Sequence, residues 1–319
     1  MTKPIEDNLD KIPIVKWIVK LGKSIIIPGL SGMSLYDVIE MYVIGILKGA
    51  LTSRAGGISF SFFMALFPFL LFILTLIPYV PIENFQSDFL FTLQKILPPN
   101  TAESVDVVIN DIINNRYGDL LSFGFIASIF LMANGVNAIL GGFEYSYHVT
   151  EMRNIIRQYF VSMGMAILLS LTLIFTVAVI VYFEIGIESL KSKGWLDDDL
   201  FWIEKGQFLF FVLLIFVSVS FLYKYGTKEV KHLSFFNAGS ILTTLLTLLM
   251  FKLFGIYVLK FATYNQLYGS IGTLLVLMLF VWLNSIILLL GFELNASINS
   301  LRRFHIKEEI DENNSNDSC

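Results

Sequence analysis

The stretch SRAGGISFSFFMALFPFLLFILTLIPYVP, residues 53–81, decides the fold class of this 319-residue chain. Arg54 is its one charged residue, and the charge-free run behind it extends to residue 82. At 1.5 Å per residue, about 20 apolar residues cross the ~30 Å hydrocarbon core of a bilayer. This run is long enough to do so. Five more charge-free windows follow, at 120–143, 158–183, 206–223, 233–251 and 261–292. One such window fits the core of a soluble protein, but six in one chain do not. Composition agrees, with 55% hydrophobic and 15% charged residues and a mean hydropathy of +0.72. The reading is an all-α integral membrane protein with six transmembrane helices, at about 55–78, 120–142, 158–183, 206–223, 233–257 and 269–293. Residues 1–53 form a cytoplasmic or interfacial segment, 54–297 the membrane domain, and 298–319 an acidic tail. The tail, ending EEIDENNSNDSC, is too poor in apolar residues to fold by itself and is expected to be disordered.

Lysine and arginine set orientation, because loops rich in them stay on the cytoplasmic side. The amino-terminal segment together with Arg54, the loops at 142–157 and 224–232, and the tail hold 15 of these residues. The loops at 81–119, 184–205 and 252–268 hold 7. Both termini are therefore expected in the cytoplasm. Lysines and prolines break up the first thirty residues, and no signal peptide is expected there. SLYDVIEMYVIGILKGALTS, before the first span, is amphipathic enough to lie along the membrane or to pack under the bundle. The first outer loop reads as a helical hairpin, with Phe85, Phe89, Leu93 and Leu97 at helical spacing, a break at Pro98 and Pro99, and a resumed period from Val105. It is either a cap over the bundle or a hairpin resting on the interface. The single cysteine, Cys319, excludes an intramolecular disulfide. A net charge of −4 gives no reason to expect a nucleic-acid partner.

Counting in fours through the opening segment gives Gly45, Gly49, Ser53, Gly57, Ser61 and Ala65. In lipid, such a small-residue seam lets helix backbones approach and gain dispersion contacts. Pro68 removes a backbone donor near mid-membrane and predicts a kink, either plain architecture or a hinge beside a cavity.

RAGGISFSFFMALFPFLLFI resembles the first-span signature of the YihY/BrkB family of bacterial inner-membrane proteins. At the far end, YGSIGTLLVLMLFVWLNSIILLLGFELNA (268–296) is similar to that family's Tyr-Gly-Ser block and its Gly-x-Glu-Leu-Asn-Ala motif. VTEMR (149–153) resembles its Val-x-Glu-x-Arg, and FFNAGSILTTLL its Pro-Gly-Ala helix start, with Asn237 where proline is usual. Glu144 stands where asparagine is common. The resemblance covers roughly 35–300 and implies six spans with cytoplasmic termini. For activity it implies links to serum resistance and small-molecule export, and it carries an old label as ribonuclease BN.

Ionisable groups within the hydrocarbon cost roughly 2.5–3.5 kcal/mol each and normally face a cavity or a partner. Arg54, Glu144 and Glu293 are placed by the topology at one depth, where they either form an acid–base cluster at the cytoplasmic mouth or each reach the interface separately. Asn134, Asn137, Gly141 and Glu144 follow at spacings of three, four and three along the second span, and Asn284 lies mid-way along the last. They serve either as glue between helices or as the lining of a solute path. Only three histidines exist, none at metal-ligand spacing, and no phosphate-binding glycine loop is present. No cofactor or metal is expected, and no enzyme activity, ribonuclease included. The favoured reading is a secondary transporter or exporter of a small or lipid-like solute through a polar cavity. Its partners would be lipid, that solute and protons exchanging on Glu293 or Glu144, and a homo-oligomer stays open. The alternative is a structural or lipid-organising envelope protein.

Overall fold

The computed structural model describes residues 34–76, 120–192, 199–228, 234–260 and 270–316, together with Ser24. The expected outer hairpin and most of the amino-terminal lysines lie outside these residues. Over the described residues the chain folds into α1 Leu35–Lys48, α2 Leu51–Leu76, α3 Leu120–Glu144, α4 Ile155–Ser192, α5 Asp199–Gly226, α6 Ala238–Lys260 and α7 Ser270–Asn316, with no β-strand among them. Lipid offers no hydrogen-bond partners to the backbone, so each crossing must satisfy its own. The six helices from α2 to α7 are long and apolar enough to cross a membrane, which makes this a multi-pass membrane protein.

Two helices run well past their apolar windows. α4 has 38 residues and α7 has 47. The backbone is helical to Asn316, where the sequence suggested a disordered tail from residue 298. No glycine or proline follows Gly291, and Lys307, Glu308 and Glu309 are good helix formers, so nothing local stops the helix.

Each span packs on the next in chain order, and α7 closes back onto α2. The six crossings thus form a ring around a central space. α6 and α7 approach most closely where Gly239 meets Gly291, since a Cβ on Gly239 would lie 2.2 Å from the Gly291 carbonyl oxygen. Above them Phe143 and Phe292 stack with centroids 4.3 Å apart, and Tyr223 packs edge-on at 5.6 Å. The Tyr223 hydroxyl donates to the Leu288 carbonyl at 2.6 Å and pairs with Thr243 at 2.6 Å.

α1 starts on a capping box. Asp37 N donates to the Ser34 Oγ at 3.3 Å, and Ser34 N donates to Asp37 Oδ2 at 2.9 Å. The helix ends at Gly49, and Ala50 turns the chain with a φ of 45° before α2 begins. α1 packs against α7 at the end of the bundle where α2 begins, leaving Ile39, Val43 and Leu47 exposed as one apolar stripe at i, i+4 and i+8.

The break at Ala50 divides the small-residue seam. An i+4 count holds one face only while the helix is continuous. Gly49 lies against Arg54 and Glu293, whereas Ser53 and Gly57 are exposed, and a Cβ on Gly57 would meet nothing within 4 Å. Ser61 is half-buried. Ala65 is buried against α3, where a Cβ on Gly135 would lie 2.8 Å from its own. Pro68 is half-buried, and α2 continues through it as helix.

Candidate functional site

Glu293, fully buried in α7, is the point on which four segments converge. Arg54, in the first turn of α2, sets its Nη2 2.5 Å from Glu293 Oε1. Ser146, in the loop after α3, donates to Glu293 Oε2 at 2.8 Å. α1 presents Gly45, where a Cβ would lie 2.9 Å from Glu293 Oε2 and 2.8 Å from His148 Nε2. Taking a carboxylate out of water is compensated only when a close cation and further hydrogen bonds satisfy it, and both Glu293 oxygens are so supplied. Arg54 also donates through Nη1 to the Gly142 carbonyl at 2.9 Å, near the C-terminus of α3, where unpaired carbonyls favour a cation. Its Nε is buried without a partner among the described residues. Next to the pair, the His148 ring lies 3.0 Å from the Met41 carbonyl of α1, and Arg303 of α7 donates to the His148 carbonyl at 3.1 Å. Burial, and to a lesser degree the Glu293 charge, push the Tyr42 phenol of α1 above its usual range.

Glu144 is buried apart from this pair. Its Oε1 accepts from Arg153 N at 3.3 Å. With the Gln158 carboxamide oriented to donate, its nitrogen reaches Glu144 Oε2 at 3.1 Å. Arg153 donates in turn to the Gly226 carbonyl at the C-terminus of α5, at 3.1 Å. Burial pulls its guanidinium below the usual value, the Glu144 carboxylate opposing and Arg157 adding to the effect. Two arginines thus each hold a helix C-terminus, Arg54 on α3 and Arg153 on α5. A third network ties α6 to α7. Asn237 caps α6 by accepting from Ser240 N at 2.8 Å, Asn295 donates to Asn237 Oδ1 at 2.7 Å, and Gly239 N donates to Asn295 Oδ1 at 2.8 Å.

Above the ion pair lies a cavity of two adjoining lobes. One, of about 330 Å³, is lined by apolar side chains of α2 to α5, among them Ala65, Phe69, Met132 and Leu173. The other, of about 360 Å³, lies against α5, α6 and α7 and adds Thr243, Thr247, Asn284 and Ser285. Phe62, Ile139, Leu214, Ser218 and Leu288 line both. Ile58 lines the second lobe one turn from Arg54, and Ile139 lies one turn from Gly142, so the ion pair sits about one helical turn beyond the lining and does not itself face either lobe.

The residues singled out from sequence separate accordingly. Arg54 and Glu293 are joined. Glu144 bonds to Arg153 and Gln158 instead, so the three charges make two clusters. Asn284 faces the cavity, with Nδ2 donating to the Phe280 carbonyl at 2.8 Å. Asn137 lies 3.2 Å from the Ser162 hydroxyl of α4. Asn134 is exposed on the outside of the ring. Asn134 and Glu144 are ten residues apart, about 80° around a helix, so the stripe winds from the outer surface to the interior. Ser146, His148 and Tyr223 were not visible as partners from spacing. Asn295 carried a signal, two residues after Glu293 in GFELNA. Among the described residues no three His, Cys, Asp or Glu side chains gather as metal ligands.

Two relatives share most of this architecture's length. The chain is 32% identical over 259 residues to the ribonuclease-like protein YfkH of Bacillus subtilis (strain 168), covering 79% of this chain and 91% of that one. It is 22% identical over 261 residues to a UPF0761 membrane protein of Aggregatibacter aphrophilus (strain NJ8700), covering 80% and 89%. No solved structure matches. Residues 45–316, which include the ion pair, its glycine contacts and all six spans, match the model of the family described as virulence factor BrkB, and the chain belongs to that family.

Proposed function

We propose that this chain is a carrier, not an enzyme, moving a neutral amphiphilic small molecule across the bacterial inner membrane through the central cavity. The observation that supports this is the two-lobed cavity to which all six spans contribute, with a buried ion pair about one helical turn beyond its lining. The excess of lysine and arginine at the α1 end supports placing that end, and both termini, in the cytoplasm.

The wall chemistry narrows the solute. Among the described residues no charged side chain lines either lobe, so a permanently charged group would find no counter-ion there. The first lobe matches an apolar body. In the second, Asn284 spends its nitrogen on Phe280 O and keeps Oδ1 free to accept, which suits a hydroxyl or amide N–H on the solute. Opening toward the cytoplasm requires that Arg54 and Glu293 part and that α1 move away beneath them.

The test is the passage of a fluorescent decyl amide into everted membrane vesicles. Ser218→Phe, which places a ring where the lobes join, is expected to lower the protein-dependent rate by filling the space that a solute must pass. Equal rates in wild type, Ser218→Phe and empty vesicles would remove the carrier reading.

A further inference from the structure

We infer that two copies of this chain pair along the outward face of α3, with Asn134 at the centre of the contact. Asn134 lies fourteen residues after Leu120 and ten before Glu144, so about 15 Å of helix separates it from the nearer end. It is exposed, and its carboxamide makes no hydrogen bond among the described residues. The other two span carboxamides singled out above each contact a partner, Asn137 at Ser162 and Asn284 at Phe280. Hydrocarbon offers Asn134 nothing in exchange, so a second polar group must come to it.

A second copy supplies that group in the right place. A carboxamide carries both donors and an acceptor and is therefore its own complement. A two-fold axis along the membrane normal sets α3 parallel to its partner and places Asn134 opposite Asn134. The surrounding residues suit such a pairing. Ala127, Leu131, Asn134, Ala138 and Gly141 follow at spacings of four, three, four and three, and none is buried within the chain. That is the period of a left-handed helix pair, with small residues letting the backbones close on either side of a central asparagine. The face lies outside the ring, so pairing leaves the cavity and the ion pair untouched.

The experiment uses the full chain in native membranes with Cys319→Ser as background. Leu131→Cys, on the same face with Asn134 kept in place, is expected to give a disulfide-linked dimer on mild oxidation, and Phe175→Cys, 70% exposed on α4, is expected to give none. In liposomes, Asn134→Leu is expected to weaken dimerisation on the order of tenfold while Asn134→Gln retains it, because two interhelical hydrogen bonds are lost. The unfolding temperature of the Asn134→Leu monomer should stay at the wild-type value, since the side chain bonds nothing among the described residues. Equal cross-linking at positions 131 and 175, capture of a different protein at 131, or unchanged dimerisation of Asn134→Leu would each overturn the pairing.

Discussion

Arg54 holds three things at once: the Glu293 carboxylate, the C-terminal carbonyl of α3 and, through Glu293, the packing of α1. With side-chain exposures of 7% and 0%, neither partner can fall back on water when the other is removed. Arg54→Ala should therefore lower stability by roughly 3–5 kcal/mol, the cost of leaving a buried charge unpaired. Arg54→Lys should cost less, because it keeps the charge and loses only the fork that reaches Gly142. Denaturant unfolding in detergent reads both, and equal loss would mean that shape rather than charge matters at this position. Sequence alone placed Arg54 and Glu293 at a common depth, because charges flanking apolar windows mark helix ends. It could not pair them. Pairing depends on the loop after α3 turning Ser146 and His148 inward, and no local period records that turn. Glu144 shows the limit, since it shares the depth and binds elsewhere.

Between α1 and α2 the chain makes a turn that its composition hides. Ala50 adopts a left-handed backbone, which costs a residue with a Cβ about 1 kcal/mol or more. Ala50→Gly should raise stability by about 1 kcal/mol in thermal unfolding, and a loss would show that Ala50 contributes a contact its exposure does not reveal. Helix existence was legible throughout, because six charge-free windows leave little else for the backbone to do in lipid. The phase of the small residues was not, since counting in fours carries straight through a break that only φ reveals. Gly45 and Gly57 make the consequence testable, being alike on paper and opposite in surroundings. Gly45→Ala would push a methyl group into His148 and Glu293 and should cost about 1–3 kcal/mol, whereas Gly57→Ala meets open space and should be near neutral. Similar losses at both sites, measured by the same unfolding assay, would contradict the division of the seam.

At the scale of the molecule, six helices in chain order close into a ring, and closure is what makes a cavity. Closure depends on α7 meeting α2 across more than two hundred residues of chain, which no window of sequence encodes. This explains why the cavity is walled largely by Phe, Leu and Ile, and why, of the three asparagines that the sequence offered either as glue between helices or as lining of a path, only Asn284 faces it. Filling the junction of the lobes with Ser218→Phe leaves the ion pair intact, so the variant should fold with an unchanged unfolding temperature while losing solute passage. A collapse in stability would assign Ser218 a packing role instead. The most direct measurement is photoaffinity labelling of the purified protein in lipid nanodiscs with a diazirine-bearing decyl amide, followed by mapping of the labelled residues. Labelling concentrated at 214–219 and 280–288, and lost in Ser218→Phe, is the result expected of a cavity that takes an amphiphile. Labelling spread over outward residues such as Phe175 and Phe208, and unchanged by Ser218→Phe, would contradict it.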